Sequence, residues 1–305
     1  MNLDQFERQR LDLFHKNGFS GESRWITDIR GRRTYMIVRG EGDCPTILVH
    51  GGLSQAGEWA LLAGHLPGFV IIPDRPGCGL SYRMDYRRTD YRREAASWLH
   101  DLVEGVGANQ VDLIGNSMGG FFAMCFALAH PDRVRRLIFA GAPASLDRPI
   151  PLFMRLWGNA FTGPLMARSG LTLPRDVEVL RRRVFASFLV AKPDRIPLDL
   201  LDVSLASMRI PGAELTSRSI LRGCVDMRGW KTEMMMREEL SHLDVPTLFL
   251  WGDRDAFAPP TSGQDMAASM PDARITIIGD AGHLPYIDQP KAVSREIRLF
   301  LQDAR

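Results

Sequence analysis

The chain is expected to fold as an open α/β sandwich, a mostly parallel sheet with helices on both faces, and three observations carry that expectation. Short β-prone runs alternate with helix-length segments towards both ends of the sequence. That alternation breaks between about residues 143 and 243. A glycine-flanked serine, Gly115-Asn116-Ser117-Met118-Gly119, stands between an apolar strand-type run and an apolar, Ala-rich helix-type segment.

Residues 25–30 and 33–38 are β-prone around Gly31-Arg32 and predict an opening hairpin. Residues 46–49 read as a buried strand bounded by Pro45 and His50-Gly51-Gly52, residues 59–66 as a helix, and residues 69–72 as the next strand. Tyr91, Ala95, Trp98, Leu99, Leu102, Val103 and Val106 recur at helical spacing, which predicts an amphipathic helix over 90–107. A strand at 111–114, a helix at 121–129 and a strand at 134–140 follow. The middle of the chain carries Pro149, Pro151, Pro164, Pro174, Pro193, Pro197 and Pro211 among helical patches, without a clear strand, and is expected to be a helical insertion. Strands at 247–251 and 274–278 and a closing helix at 292–301 resume the pattern. The expected organisation is a core in two parts, 1–142 and 243–305, with 143–242 inserted between them.

Apolar residues make up 45% and charged residues 24%, so the chain can build a core and is not disordered. With a net charge of +2 and no basic run, neither nucleic acid nor a membrane is expected as partner. Cys44, Cys78, Cys125 and Cys224 form no C-x-x-C pair, which argues against a zinc site or a disulfide framework. The first sixteen residues mix charges with apolar side chains and lack the apolar stretch of a leader, and a cytoplasmic location is expected.

A serine hydroxyl is a weak nucleophile at neutral pH and needs an imidazole to take its proton and a carboxylate to hold that imidazole. Ser117 is the candidate nucleophile, on a turn that pushes its hydroxyl into a cleft. His283, in Gly279-Asp280-Ala281-Gly282-His283-Leu284-Pro285 after the last strand, is the candidate base. Asp255 is favoured as the acid over Asp253, which is better placed to hold its own turn, with Asp147 an outside candidate. The backbone N–H of Met118, with that of Gly52 or Leu53, would form an oxyanion hole. His50 is expected to orient that loop more than to move protons. All these residues fall beyond the carboxyl ends of strands, where open sheets bind ligands.

In order and spacing, His50-Gly51-Gly52, Asp74-Arg75-Pro76-Gly77, Gly115-Asn116-Ser117-Met118-Gly119-Gly120, Gly252-Asp253-Arg254-Asp255 and Gly282-His283 resemble the α/β-hydrolase superfamily. The resemblance implies a mostly parallel eight-stranded sheet flanked by helices. It also implies that the insertion is a cap over the serine. The Gly115–Gly120 stretch looks like the elbow of hydrolases that cleave carbon–carbon bonds in aromatic ring-fission products. Leu53-Ser54-Gln55 and Leu284 differ from that group. An apolar band from Leu152 to Met166 and the cluster Met234–Met236 suggest an apolar substrate portion, with His50, Asn116, Trp157, Phe161 and Leu284 as candidate contacts.

The expected protein is a serine hydrolase that uses no cofactor or metal and acts on a small, largely apolar ester, thioester or lactone through an acyl-enzyme. Carbon–carbon bond hydrolysis of a vinylogous diketone is the alternative reaction, and a small-molecule receptor on the same fold is the alternative of another class. A small molecule is the expected partner, and a homodimer is left open.

Overall fold

The computed structural model describes residues 2–169 and 174–303. Its strands are β1 (Glu22–Thr27), β2 (Arg33–Arg39), β3 (Thr46–Val49), β4 (Val70–Pro73), β5 (Val111–Gly115), β6 (Val134–Ala140), β7 (Val225–Asp226), β8 (Gly229–Trp230), β9 (Thr247–Gly252) and β10 (Ala273–Ile278). Eight of them form one sheet in the order β1-β2-β4-β3-β5-β6-β9-β10. Only β2 runs against its neighbours; every other pair is parallel. Strands β3, β4, β5 and β9 are buried at every position, because helices cover both faces. This is why they read as continuous apolar runs.

The helix Tyr91–Gly105 starts where Asp90 accepts from the Arg93 N–H and buries the apolar face read from the sequence. The helix Met118–Ala129 is almost wholly buried between sheet and neighbouring helices. Its uniform burial explains the absence of any polar stripe.

Some expectations need correcting. The first strand ends at Thr27, because the Asp28 carboxylate accepts from the N–H groups of Arg30 and Arg32 and closes a turn there. Instead of one helix over 59–66 there is a 3₁₀ turn, Ala56–Trp59, and a short helix, Ala60–Ala63. Gln55 starts this segment early by accepting from the Gly57 N–H. Between β6 and β9 the described chain is mostly helical and also holds the antiparallel pair β7 and β8. Two-residue strands are too short to display a period of two, so no pattern announced them. Residues 170–173 of this insertion lie outside the described residues. Among the described residues no helix is long and apolar enough to cross a membrane.

The sequence reading assigned no helix before β1, yet Leu3–Lys16 is one, burying Phe6, Arg10, Leu13 and Phe14. Arg10 is fully buried between the rings of Phe6 and Tyr35, 4.8 and 4.4 Å from their centroids. Its Nη1 donates to both carboxylate oxygens of buried Asp74, at 2.9 and 2.7 Å. The same carboxylate accepts from the Ala56 and Leu80 N–H groups, each at 2.8 Å. A charged residue inside an amphipathic helix reads as solvent-facing, which is why this one escapes a periodicity argument. Replacing Arg10 with Ala leaves Asp74 buried without its counter-charge and should cost about 3–5 kcal/mol of stability by urea unfolding. A loss below about 1 kcal/mol would show that the four-way arrangement around Asp74 does not depend on the guanidinium.

Candidate active site

Strand β5 delivers Gly115 to the foot of a sharp turn, and the helix Met118–Ala129 begins three residues later. Ser117, between them, has φ +49 and ψ −117, a conformation rarely adopted by a residue with a side chain. Close backbone approach enforces it. A Cβ on Gly119 would lie 2.0 Å from the Val49 carbonyl oxygen, and one on Gly115 would lie 2.6 Å from Gly120 Cα. No residue but glycine fits at either point. Ser117 is left partly exposed, while its neighbours Asn116 and Met118 are buried.

His283 follows β10 and is buried, with Nδ1 3.0 and 2.9 Å from the two carboxylate oxygens of Asp255. That carboxylate is itself fixed: Oδ1 accepts from the Phe257 N–H at 2.9 Å and Oδ2 from the Ala142 N–H at 3.0 Å. With a carboxylate on Nδ1, the proton belongs there and Nε2 is left as the lone-pair nitrogen. His283 Nε2 is buried and without a hydrogen-bond partner among the described residues. The Phe257 ring stacks on the imidazole, with centroids 4.0 Å apart and planes 27° from parallel, which fixes its tilt. Asp253 instead accepts from the Ala281 N–H at 3.0 Å and holds the turn before His283. Asp147 lies elsewhere, paired with Arg237 and Ser262.

The loop after β3 is held by buried polar groups. His50 Nε2 accepts from the Arg75 N–H at 2.9 Å, so Nδ1 carries the proton and donates to the Gly51 carbonyl at 2.9 Å. The Arg75 guanidinium donates to the carbonyls of His50 and Gly51 at 2.8 and 2.6 Å. Gly51 N–H is taken by Glu58 Oε1 at 2.8 Å. The next two residues, Gly52 and Leu53, reach the cavity, and Leu53 has φ +59. Among the described residues the amides of Met118, Gly52 and Leu53 make no intramolecular hydrogen bond.

Ser117, His283, Met118, Gly52 and Leu53 line one cavity of about 870 Å³. The rest of its wall is largely apolar and includes Phe153, Trp157, Phe185, Leu200, Ile220 and Trp230 from the insertion. Of the expected substrate contacts, Trp157, Asn116 and Leu284 border this space. Phe161 does not: it is 89% exposed on the outside of the insertion. The break comes at Asn159, whose side chain accepts from the Phe161 and Thr162 N–H groups and turns Phe161 outwards. His50 is likewise outside the lining and fully buried, with both ring nitrogens engaged by backbone. Asn116 is occupied in holding: its amide donates to the carbonyls of Ala140 and His283 at 2.6 and 3.0 Å, tying the serine turn to the histidine loop.

Sequence reasoning missed Glu58, Phe257 and Asp288. Asp288 accepts from the N–H groups of Gly282, Ala191 and Lys192, at 2.8, 2.8 and 3.0 Å, and so joins the histidine loop to the insertion. None of these sits in a recognisable motif. Spacing to Gly-rich turns was the only available signal, and it flags the loops without their anchors.

The sequence model of the family described as alpha/beta hydrolase fold matches residues 45–290. Lipase 3 of Moraxella sp. (strain TA144) is 24% identical over 303 residues, covering 97% of this chain and 87% of the lipase. The 2-hydroxy-6-oxo-6-phenylhexa-2,4-dienoate hydrolase of Burkholderia cepacia is 27% identical over 281 residues, covering 88% of this chain and 91% of the relative. The crystal structure of carboxylesterase CesB from Bacillus subtilis superposes with a TM-score of 0.76 at 21% identity, covering 99% of this chain and 98% of that one.

Burial, reinforced by the Arg75 guanidinium, pushes the His50 imidazole well below its ordinary value of 6.5. The unfolded chain therefore takes up a proton near pH 6.5 that the folded chain refuses. His50 thus contributes stability above that pH, and the contribution is lost as pH falls below it, at up to roughly 1.4 kcal/mol per pH unit. Unfolding free energies of wild type and His50→Gln, compared between pH 7.5 and 5.5, should diverge in slope, with the variant shallower. Parallel curves would remove His50 from the acid sensitivity.

Proposed function

The chain belongs to the α/β-hydrolase fold family, and on that premise we propose that it is a serine hydrolase cleaving a small, largely apolar carboxylic ester, thioester or lactone. The observation that carries this reading is the pairing of His283 with Asp255, which leaves Nε2 unpartnered on a residue that lines the same cavity as Ser117. Ser117 Oγ attacks the substrate carbonyl while His283 Nε2 takes its proton. Asp255 keeps the other ring nitrogen protonated and steadies the imidazolium that forms. The oxyanion is received by the Met118 N–H, at the start of a helix, and by that of Gly52 or Leu53. His283 then protonates the leaving group. Water, deprotonated by the same nitrogen, attacks the acyl-enzyme and releases the acid.

In this reading the segment between β6 and β9 is a cap. The apolar lining supports an apolar acyl or ring portion, and about 870 Å³ is room for a small-molecule substrate. Relatives named as lipases support the ester reading. Carbon–carbon bond hydrolysis is the second reading, favoured by relatives named as 2-hydroxy-6-oxo-6-phenylhexa-2,4-dienoate and 2-hydroxy-6-oxononadienedioate hydrolases.

Ser117→Ala should lower hydrolysis of a nitrophenyl ester by at least about 10³-fold without a change in melting temperature. Fluorophosphonate should label wild type at Ser117 and leave the variant unlabelled. A panel of esters of graded chain length, run beside a coloured dienoate, separates the two reactions. Retained turnover in Ser117→Ala would end the mechanism, and tight ligand binding without turnover or labelling in wild type would favour a receptor.

A further inference from the structure

We propose that Glu58 is a positioning residue that clamps the oxyanion loop and locks it to the loop carrying His283. The inference rests on the hydrolase reading above for its kinetic consequence, and on geometry alone for the clamp.

Glu58 borders the cavity but is almost wholly buried, and the mechanism gives it no proton to move. Its carboxylate gathers donors from two directions. Oε1 accepts from the Gly51 N–H at 2.8 Å and from the Tyr286 hydroxyl at 2.9 Å. Gly51 leads directly into Gly52 and Leu53, the two residues whose amides are free to face an oxyanion. One side chain thus grips the start of the turn and, through Tyr286, the loop beyond His283.

The turn needs a grip. Leu53 sits at φ +59, where a side chain crowds its own backbone, and that conformation persists only if the surroundings impose it. The Gly51 carbonyl is held by the Arg75 guanidinium, so this residue is fixed at both of its peptide groups, by Glu58 at its N–H and Arg75 at its oxygen. Engaging the Gly51 N–H also takes it out of contention as an oxyanion donor and directs that task to the amides beyond it.

The second tie runs through Tyr286, three residues after His283. Its ring stacks on Trp59, with centroids 4.0 Å apart, and its hydroxyl ends on Glu58. The carboxylate therefore fixes the oxyanion donors relative to the loop that carries the base. Its position matters because an oxyanion hole works only when donors are placed in advance.

The test compares Glu58→Ala, Glu58→Gln and Tyr286→Phe with wild type. Glu58→Ala should lower kcat on the order of 100-fold with KM within about threefold, because the loss falls on the transition state. Affinity for an aryl trifluoromethyl ketone, whose hemiketal oxygen occupies the hole, should fall in parallel. Glu58→Gln keeps an oxygen for Gly51 and Tyr286 and should recover most of the rate, with Tyr286→Phe in between. Amide hydrogen exchange of residues 51–54 should speed up at least about tenfold in Glu58→Ala and stay at the wild-type rate in Ser117→Ala. If Glu58→Ala does not fold, Glu58→Gln and Tyr286→Phe carry the exchange measurement, and both should show smaller accelerations. Unchanged exchange at 51–54, or a Glu58→Ala kcat within about threefold of wild type, overturns the clamp. A wild type that fluorophosphonate fails to label overturns the hydrolase reading instead, and exchange still decides the clamp.

Discussion

The arrangement depends on how tightly the helix Met118–Ala129 is pressed against the ends of β3 and β5. Because Gly119 meets the Val49 carbonyl and Gly115 meets Gly120, the chain has no room to leave β5 by a relaxed turn, and Ser117 takes a positive φ. Such a conformation costs on the order of 1–3 kcal/mol and must be over-determined by its surroundings. Here it is: the Asn116 carbonyl accepts from the Gly119 and Gly120 N–H groups, the Ser117 carbonyl from those of Phe121 and Ala144, and the helix behind is buried along nearly its whole length. The strain at one residue is offset by the burial of ten.

A second regularity concerns what holds the loops beyond the sheet. Asp74, Asp255, Asp288 and Glu58 each accept backbone N–H groups, and together they join segments far apart in sequence. A carboxylate with several N–H donors is a strong, directional tether, since each bond is charge-assisted. Asp74 fixes the segment before Glu58; Glu58 fixes the segment after His50; Asp255 fixes the imidazole and the start of the 142–147 segment. Parallel strands deliver residues to one edge of a sheet but do not orient them there. These carboxylates supply that orientation.

The strand pattern was legible because buried parallel strands are short apolar runs, as at 46–49, 111–114 and 247–251, and helices over 90–107 and 121–129 declared themselves by face or by uniform apolarity. Ser117, His283 and Asp255 could be singled out because each stands among residues that break regular structure at a strand's end. What stayed hidden was hidden for physical reasons. Arg10 is a charge that faces inwards, and its partner Asp74 is remote in sequence. Glu58 has no spacing signature, because its role arises from two donors on two loops. Phe161 shows the converse failure: an apolar residue in an apolar band was read as inward-facing, and a single Asn159 turn sends it outwards.

The insertion and the histidine loop form one mechanical unit. Leu284, next to His283, donates its N–H to the Leu189 carbonyl at 2.8 Å, and Asp288 binds the amides of Ala191 and Lys192 while also holding Gly282. The segment that ends at Leu189 is a widened helix, Arg181–Leu189, a form frequent at functional sites because its looser hydrogen bonding admits distortion. Phe185, Phe188 and Leu189 on that segment line the cavity. A bulky substrate that displaces this wall therefore strains bonds to the residues on both sides of the imidazole. Cavity shape and imidazole position are coupled through a few backbone hydrogen bonds.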